Sequence, residues 1–65
     1  MSGKVNLNNA SVDQLERIPG IGRECAEKIV QVRDKRGGFN SVGELNQIGG
    51  FGDEAVKHLR EHAEV

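Results

Sequence analysis

The chain contains the same unit twice. Shifted by 30 residues, "SVDQLERIPGIGRECAEKI" at 11–29 lies over "SVGELNQIGGFGDEAVKHL" at 41–59. Ser11, Val12, Leu15, Ile18, Gly20, Gly22 and Glu24 recur as Ser41, Val42, Leu45, Ile48, Gly50, Gly52 and Glu54. Ile21 becomes Phe51 and Ile29 becomes Leu59, so apolar character persists where identity does not. A unit repeated in this way builds its core by stacking two copies of one supersecondary element. Few folds open to 65 residues satisfy that condition.

Each unit reads as helix, tight turn, helix. Ser11 with Gln14 and Ser41 with Glu44 have capping-box spacing, in which a serine oxygen and the side chain three residues on each take an orphan amide. Val12 and Leu15, like Val42 and Leu45, then give a short helix one apolar face. Pro19 stops the first short helix, because the residue before proline is pushed out of the helical region. Gly49 stands in its place in the second unit, so that hairpin is expected to be looser.

The longer helices start just after Gly22 and Gly52. Cys25, Ala26, Ile29, Val30 and Val32 form the apolar face of one, and Ala55, Val56, Leu59 and Ala63 that of the other. Lys35 and Arg36 suit the negative end of the first long helix, and Gly37-Gly38 stops it. Phe39 is expected to fold back over the core. The alternation in "VNLN" docks Val5 and Leu7 as an extended arm. The expected fold is all-α, with two hairpin units at about 11–36 and 41–64 related by a pseudo-two-fold axis. One core should hold Ile18, Ile21, Ile29, Phe39, Leu45, Ile48, Phe51 and Leu59, with Leu15 equivalent to Leu45.

Size and composition narrow the function. Residues 5–65 make one domain, near the lower limit for a core without staples. Residues 1–4 are read as a disordered lead or a cloning leftover. The lone Cys25 allows no internal disulfide and no cysteine-based zinc framework. No apolar run approaches the roughly 20 residues that cross a bilayer, and no signal peptide is apparent. The chain is therefore expected to be cytosolic, or a domain whose targeting segment lies elsewhere.

Net charge is only −1 but is unevenly placed. Residues 1–40 hold seven Lys/Arg against five Asp/Glu, and residues 41–65 hold two against five. An anion would prefer the first half.

The hairpin glycines decide which anion site is available. Pro19-Gly20 fits a type II turn, which accounts for Gly20 as punctuation. Gly22 is less well explained by the turn. A second glycine just before a helix leaves successive amides bare at the positive end of the helix dipole, and phosphate can approach there.

On these residues, "LERIPGIGRECAEKI" resembles the helix-hairpin-helix motif, with Ala26 at its small helical position. The paired units, "VNLNNAS" before them and "GGFNSVGEL" between them are similar to the ComEA-type competence domains, over residues 5 to about 62. The resemblance implies sequence-independent binding of double-stranded DNA, each hairpin serving one strand. By position, the phosphate-contacting set is Gly20, Ile21, Gly22, Arg23 and Lys28 at the first hairpin. At the second it is Gly50, Phe51 and Gly52, with Lys57 on the following helix. A monovalent cation at the hairpin carbonyls, other DNA-uptake proteins as partners and a membrane-anchored, extracytoplasmic parent are implied as well. No small-molecule substrate and no other cofactor are implied, and the isolated domain is expected to be monomeric. Unit two departs from the pattern: it lacks the proline and puts Asp53 and Glu54 on its first helical turn, where they compete with phosphate. Hairpin two is thus expected to be the weaker contact.

Other patterns weigh less. "HLREH" at 58–62 has the spacing of an inverted zinc-protease signature, but a hydrolase also needs a third ligand and a cleft. No enzymatic activity is expected. Cys25, on a first helical turn, could have a lowered pKa, although packing is the default. Arg33, Lys35 and Arg36 read first as an ordinary helix end and second as a further phosphate contact. The rival function is a non-catalytic docking or structural module, which the acidic second half would suit.

Overall fold

The computed structural model describes residues 4–65; residues 1–3, most of the anticipated N-terminal lead, lie outside the described residues. Its elements run β1 (Val5–Asn6), α1 (Val12–Glu16), α2 (Arg23–Arg36), α3 (Glu44–Ile48), α4 (Asp53–His62) and β2 (Ala63–Glu64). Four helices in two short-then-long pairs match the duplicated sequence.

The all-helical expectation needs one correction. β1 and β2 pair in parallel, with Val5 opposite Ala63 and Asn6 opposite Glu64, and Leu7 N–H extends the ladder to Glu64 C=O at 2.8 Å. The N-terminal arm does dock, since Leu7 is fully buried. Its backbone groups required partners, and the extended chain just beyond α4 supplies them. Nothing in "HAEV" alternates strongly enough to announce a strand.

Each local element has a visible cause. At α1 the capping box is complete: Gln14 N–H donates to Ser11 Oγ at 3.2 Å, and Ser11 N–H donates to Gln14 Oε1 at 2.9 Å. At α3 only half of the expected box forms. Glu44 Oε2 accepts from the Ser41 and Asn40 amides, but Ser41 returns no side-chain bond. Its carbonyl instead takes Glu44 N–H in a tight turn, and the helix starts later, at Glu44 behind Gly43. α2 ends as its sequence indicates. Gly37 is left-handed (φ +80°), and the amides of Gly37 and Gly38 both return to Arg33 C=O.

Leu7, Leu15, Ile29, Leu45 and Leu59 are the largest fully buried side chains, joined by Ile18, Ile21, Ala26, Phe39 and Ala63. Leu15 and Leu45, which share a place in the sequence repeat, are both completely enclosed. Ile48 and Phe51 are corrections: they pack against this cluster but stay half-buried. They flank the second hairpin, whereas their counterparts Ile18 and Ile21 at the first are buried.

Two polar fastenings close the domain. Asn8 acts as a substitute strand toward Phe39, donating to its carbonyl at 3.0 Å and accepting from its amide at 2.7 Å. Arg33 reaches from α2 to Ala10 C=O at 2.6 Å and Leu7 C=O at 3.4 Å. Both hold the N-terminal arm against the body.

Candidate nucleic-acid interface

Hairpin one, residues 18–22, is a closed turn. Ile21 N–H bonds back to Ile18 C=O at 3.0 Å, and Gly20 takes φ +85° at the position where a type II turn needs it. Ile21 turns inward and is buried. Its amide is therefore used by the turn, which removes Ile21 from the expected phosphate-facing amides.

Gly22 differs from Gly20. It is the N-cap of α2 with φ −86° and ψ 178°, ordinary extended backbone, and makes no side-chain cap. A Cβ built on it would have nothing within 4 Å. The first intrahelical bond of α2 runs from Ala26 N–H to Gly22 C=O. The amides of Arg23, Glu24 and Cys25 precede that bond, so no helical carbonyl takes them. A bare glycine therefore opens onto free donors at the positive end of a 14-residue helix.

Hairpin two repeats the outlet with a different turn. Gly52 caps α4 with φ −71° and ψ 160°, again with nothing within 4 Å of a Cβ, and Val56 N–H makes the first helical bond to Gly52 C=O. Gly49 and Gly50 both have φ +81°. Proline cannot adopt Gly49's conformation, which is a physical reason for the missing proline. The Phe51-to-Ile48 backbone bond that would match hairpin one is absent among the described residues.

The basic residues are not where the sequence suggested. Arg23's guanidinium lies among three carboxylates: Glu16 at 3.1 Å, Glu27 at 3.4 Å and Asp13 at 3.9 Å. Its backbone amide has no hydrogen-bond partner among the described residues. Lys28, expected beside hairpin one, crosses to hairpin two. Its Nζ donates to Gly50 C=O at 3.2 Å and stands 5.5 Å from the centre of the Phe51 ring. His58, the repeat-equivalent of Lys28, crosses the other way. Its ring edge covers Gly20 so closely that a Cβ there would come within 2.3 Å of Cδ2. Lys57 is exposed on α4, beside a shallow hollow it shares with Asn46, Asp53 and Arg60.

The remaining candidates have the following surroundings. Arg33 is clamped on the arm carbonyls and Arg36 pairs with Glu44 at 3.1 Å, so two of the three basic residues at the end of α2 are committed internally. Sequence reasoning missed the Arg33 clamp, because its partners are backbone carbonyls 23 and 26 residues away. Cys25 is half-buried, and burial raises its thiol pKa although Lys28 pulls it down. That corrects the lowered value suggested by its place on the helix. His58 and His62 both face hairpin one from α4: His62 lines a hollow with Val5, Arg17, Ile18 and Pro19. Among the described residues, no three of His, Cys, Asp and Glu gather as metal ligands. No helix there is long and apolar enough to cross a membrane.

Comparison with known proteins places the chain among relatives. The chain is 29% identical over 56 residues to ComE operon protein 1 of Bacillus subtilis, covering 86% of this chain and 27% of that protein. An uncharacterised Haemophilus influenzae protein is 34% identical over 62 residues, covering 94% and 55%. Endonuclease/exonuclease/phosphatase family domain-containing protein 1 of Danio rerio is 39% identical over 57 residues, covering 88% and 10%. The chain thus spans between about a tenth and about half of these relatives' lengths. No solved structure gives a significant match. The family model of the helix-hairpin-helix motif matches residues 2–64, nearly the whole chain, so this protein belongs to the helix-hairpin-helix family.

Proposed function

We propose that this domain binds double-stranded DNA without regard to sequence, each hairpin presenting backbone amides to the phosphates of one strand. The observation that carries the proposal is the repeated outlet. Gly22 and Gly52 adopt the same extended conformation, with open space above them and the free first-turn amides of a long helix behind them. Amides at such a position recognise phosphate oxygens and meet no base edges, so they carry no sequence information. We further propose that the two units are related by a pseudo-two-fold axis. The reciprocal crossing of Lys28 to Gly50 and of His58 to Gly20 supports it. Such an axis would match the two strands of a duplex.

We assign the domain no catalytic step. The relatives with nuclease and phosphatase in their names align over only a tenth of their length. We place the parent protein in DNA uptake during natural transformation, anchored to a membrane and facing outward. This setting rests on the resemblance to ComEA-type domains and on the similarity to ComE operon protein 1. In this reading the isolated domain is a monomer, other DNA-uptake proteins are its partners, and a monovalent cation occupies hairpin carbonyls.

The acidic start of α4 favours a second function. Asp53 and Glu54 stand on the turn whose amides would receive phosphate, and a docking module would not be hindered by them. Titrating random-sequence duplex at several salt concentrations separates the two. With about four to six phosphates neutralised, log K should fall with log salt at a slope of roughly −3.6 to −5.4. Absence of binding at low salt would favour docking. A thousandfold preference for one sequence would overturn the amide mechanism.

A further inference from the structure

Lys28 and His58 hold equivalent places in the two units, and each lies over the other unit's hairpin glycine. Hairpin two thereby receives the Lys28 side chain, whose Nζ donates to Gly50 C=O. Hairpin one receives an imidazole from α4, and a second imidazole one turn on, His62, faces its Ile18-Pro19 side. Both rings are half-buried against the hairpin and partly open to solvent. The "HLREH" spacing therefore has a physical use: it aims two titratable side chains at one hairpin.

We infer that His58 and His62 are phosphate-facing groups of hairpin one, supplied by the opposite unit, and that their protonation strengthens DNA binding as pH falls. This rests on the DNA-binding reading of the hairpins. Imidazole is the side chain that changes charge between about pH 5 and 8. Lys28 holds the equivalent place over hairpin two, so the two imidazoles belong to hairpin one alone.

Charged groups stand near the pair on α4, at the end of α1 and at the start of α2. On α4 itself, Glu54 lies 3.9 Å from His58 Nε2 and is highly exposed, so phosphate can displace it. At the end of α1, Arg17 lines the hollow with His62 and adds positive charge on the same side. Across the hairpin at the start of α2, Arg23 is held by Asp13, Glu16 and Glu27. Those three carboxylates are already partnered there.

The test is fluorescence anisotropy of a labelled random-sequence duplex with the full 65-residue chain, at pH 5.5 to 8.5 and constant ionic strength. An exposed ion pair changes affinity by up to about fivefold. The wild type is expected to tighten about five- to tenfold between pH 8 and 5.5. His58→Gln with His62→Gln should flatten the profile at the weaker level. His58→Lys should bind tightly at both ends of the range, which a role limited to packing would not produce. Lys28→Gln should weaken binding equally at every pH. Circular dichroism confirms the fold of each variant. If the double glutamine variant keeps the wild-type pH profile, or the wild type binds with no pH dependence, the inference is overturned. If the wild type binds at no pH, the DNA reading fails and the inference fails with it.

Discussion

Lys28 on α2 donates a hydrogen bond to the carbonyl of Gly50, 22 residues later, and so joins the first unit's long helix to the second unit's hairpin. The contact redistributes charge between the hairpins. By sequence, Lys28 counts toward the basic first half. In the fold it supplies hairpin two, whose own helix begins with two acids. A basic side chain from the neighbouring unit therefore stands at the same hairpin as those two acids.

The first prediction follows from that crossing. Lys28→Ala should lower the salt slope of duplex binding by about one unit. In a Gly52→Val background the same substitution should have little further effect, because hairpin two is already blocked. In a Gly22→Val background it should keep its full effect. A double-mutant cycle on binding measures this. Coupling to Gly22 instead of Gly52 would contradict the structural placement.

The two glycines of "IPGIG" should separate cleanly. Gly22 has negative φ and open space, so Gly22→Val should remain folded, with a loss of no more than about 1 kcal/mol. It should nevertheless lose most DNA binding, since the valine stands where phosphate would approach. Gly20→Val combines φ +85° with a clash against His58, and should cost about 1–3 kcal/mol. Urea midpoints and duplex titration read the two effects. Normal binding by folded Gly22→Val would reduce the glycine to turn punctuation.

Arg33 should matter for stability and little for DNA. Its guanidinium satisfies the carbonyls of Ala10 and Leu7 while its side chain is 17% exposed. Hydrogen bonds to charged groups contribute about 1.5–3 kcal/mol. Arg33→Met should destabilise by about that amount, and Arg33→Lys should recover only part, since an ammonium lacks the planar fork. Chemical denaturation would show this, with affinity per folded molecule unchanged.

Acid should loosen the linker between the units. The amides of Asn40 and Ser41 and the Arg36 guanidinium hold Glu44's pKa below the usual glutamate range. A carboxylate with a depressed folded pKa contributes stability that is complete above its unfolded pKa, near 4.3, and is lost as pH falls through the folded value. Stability should therefore decline as pH drops below about 4.3, and Glu44→Gln should make that decline shallower. Denaturant midpoints between pH 3 and 6 would test it.

The sequence by itself determined the parts that rest on local chemistry and on repetition. The duplication, the Ser11 capping box, the Pro19-Gly20 turn and the Gly37 helix stop were legible because each depends on residues within a few positions of one another. Leu15 and Leu45 were legible through the period alone. Tertiary structure decided what depends on partners far along the chain. Val5 and Ala63 pair across the whole domain, Arg33 finds carbonyls on the N-terminal arm, and Lys28 and His58 exchange hairpins. A long side chain's charge takes effect at its tip, and only packing of the two units fixes where the tip goes. Ile48 and Phe51 show the same limit. Their apolar character marked them for the core, but beside the turn at Gly49 and Gly50 they stay half-buried. The periodic pattern gives the face of an element, and its depth in the core is set when the units close.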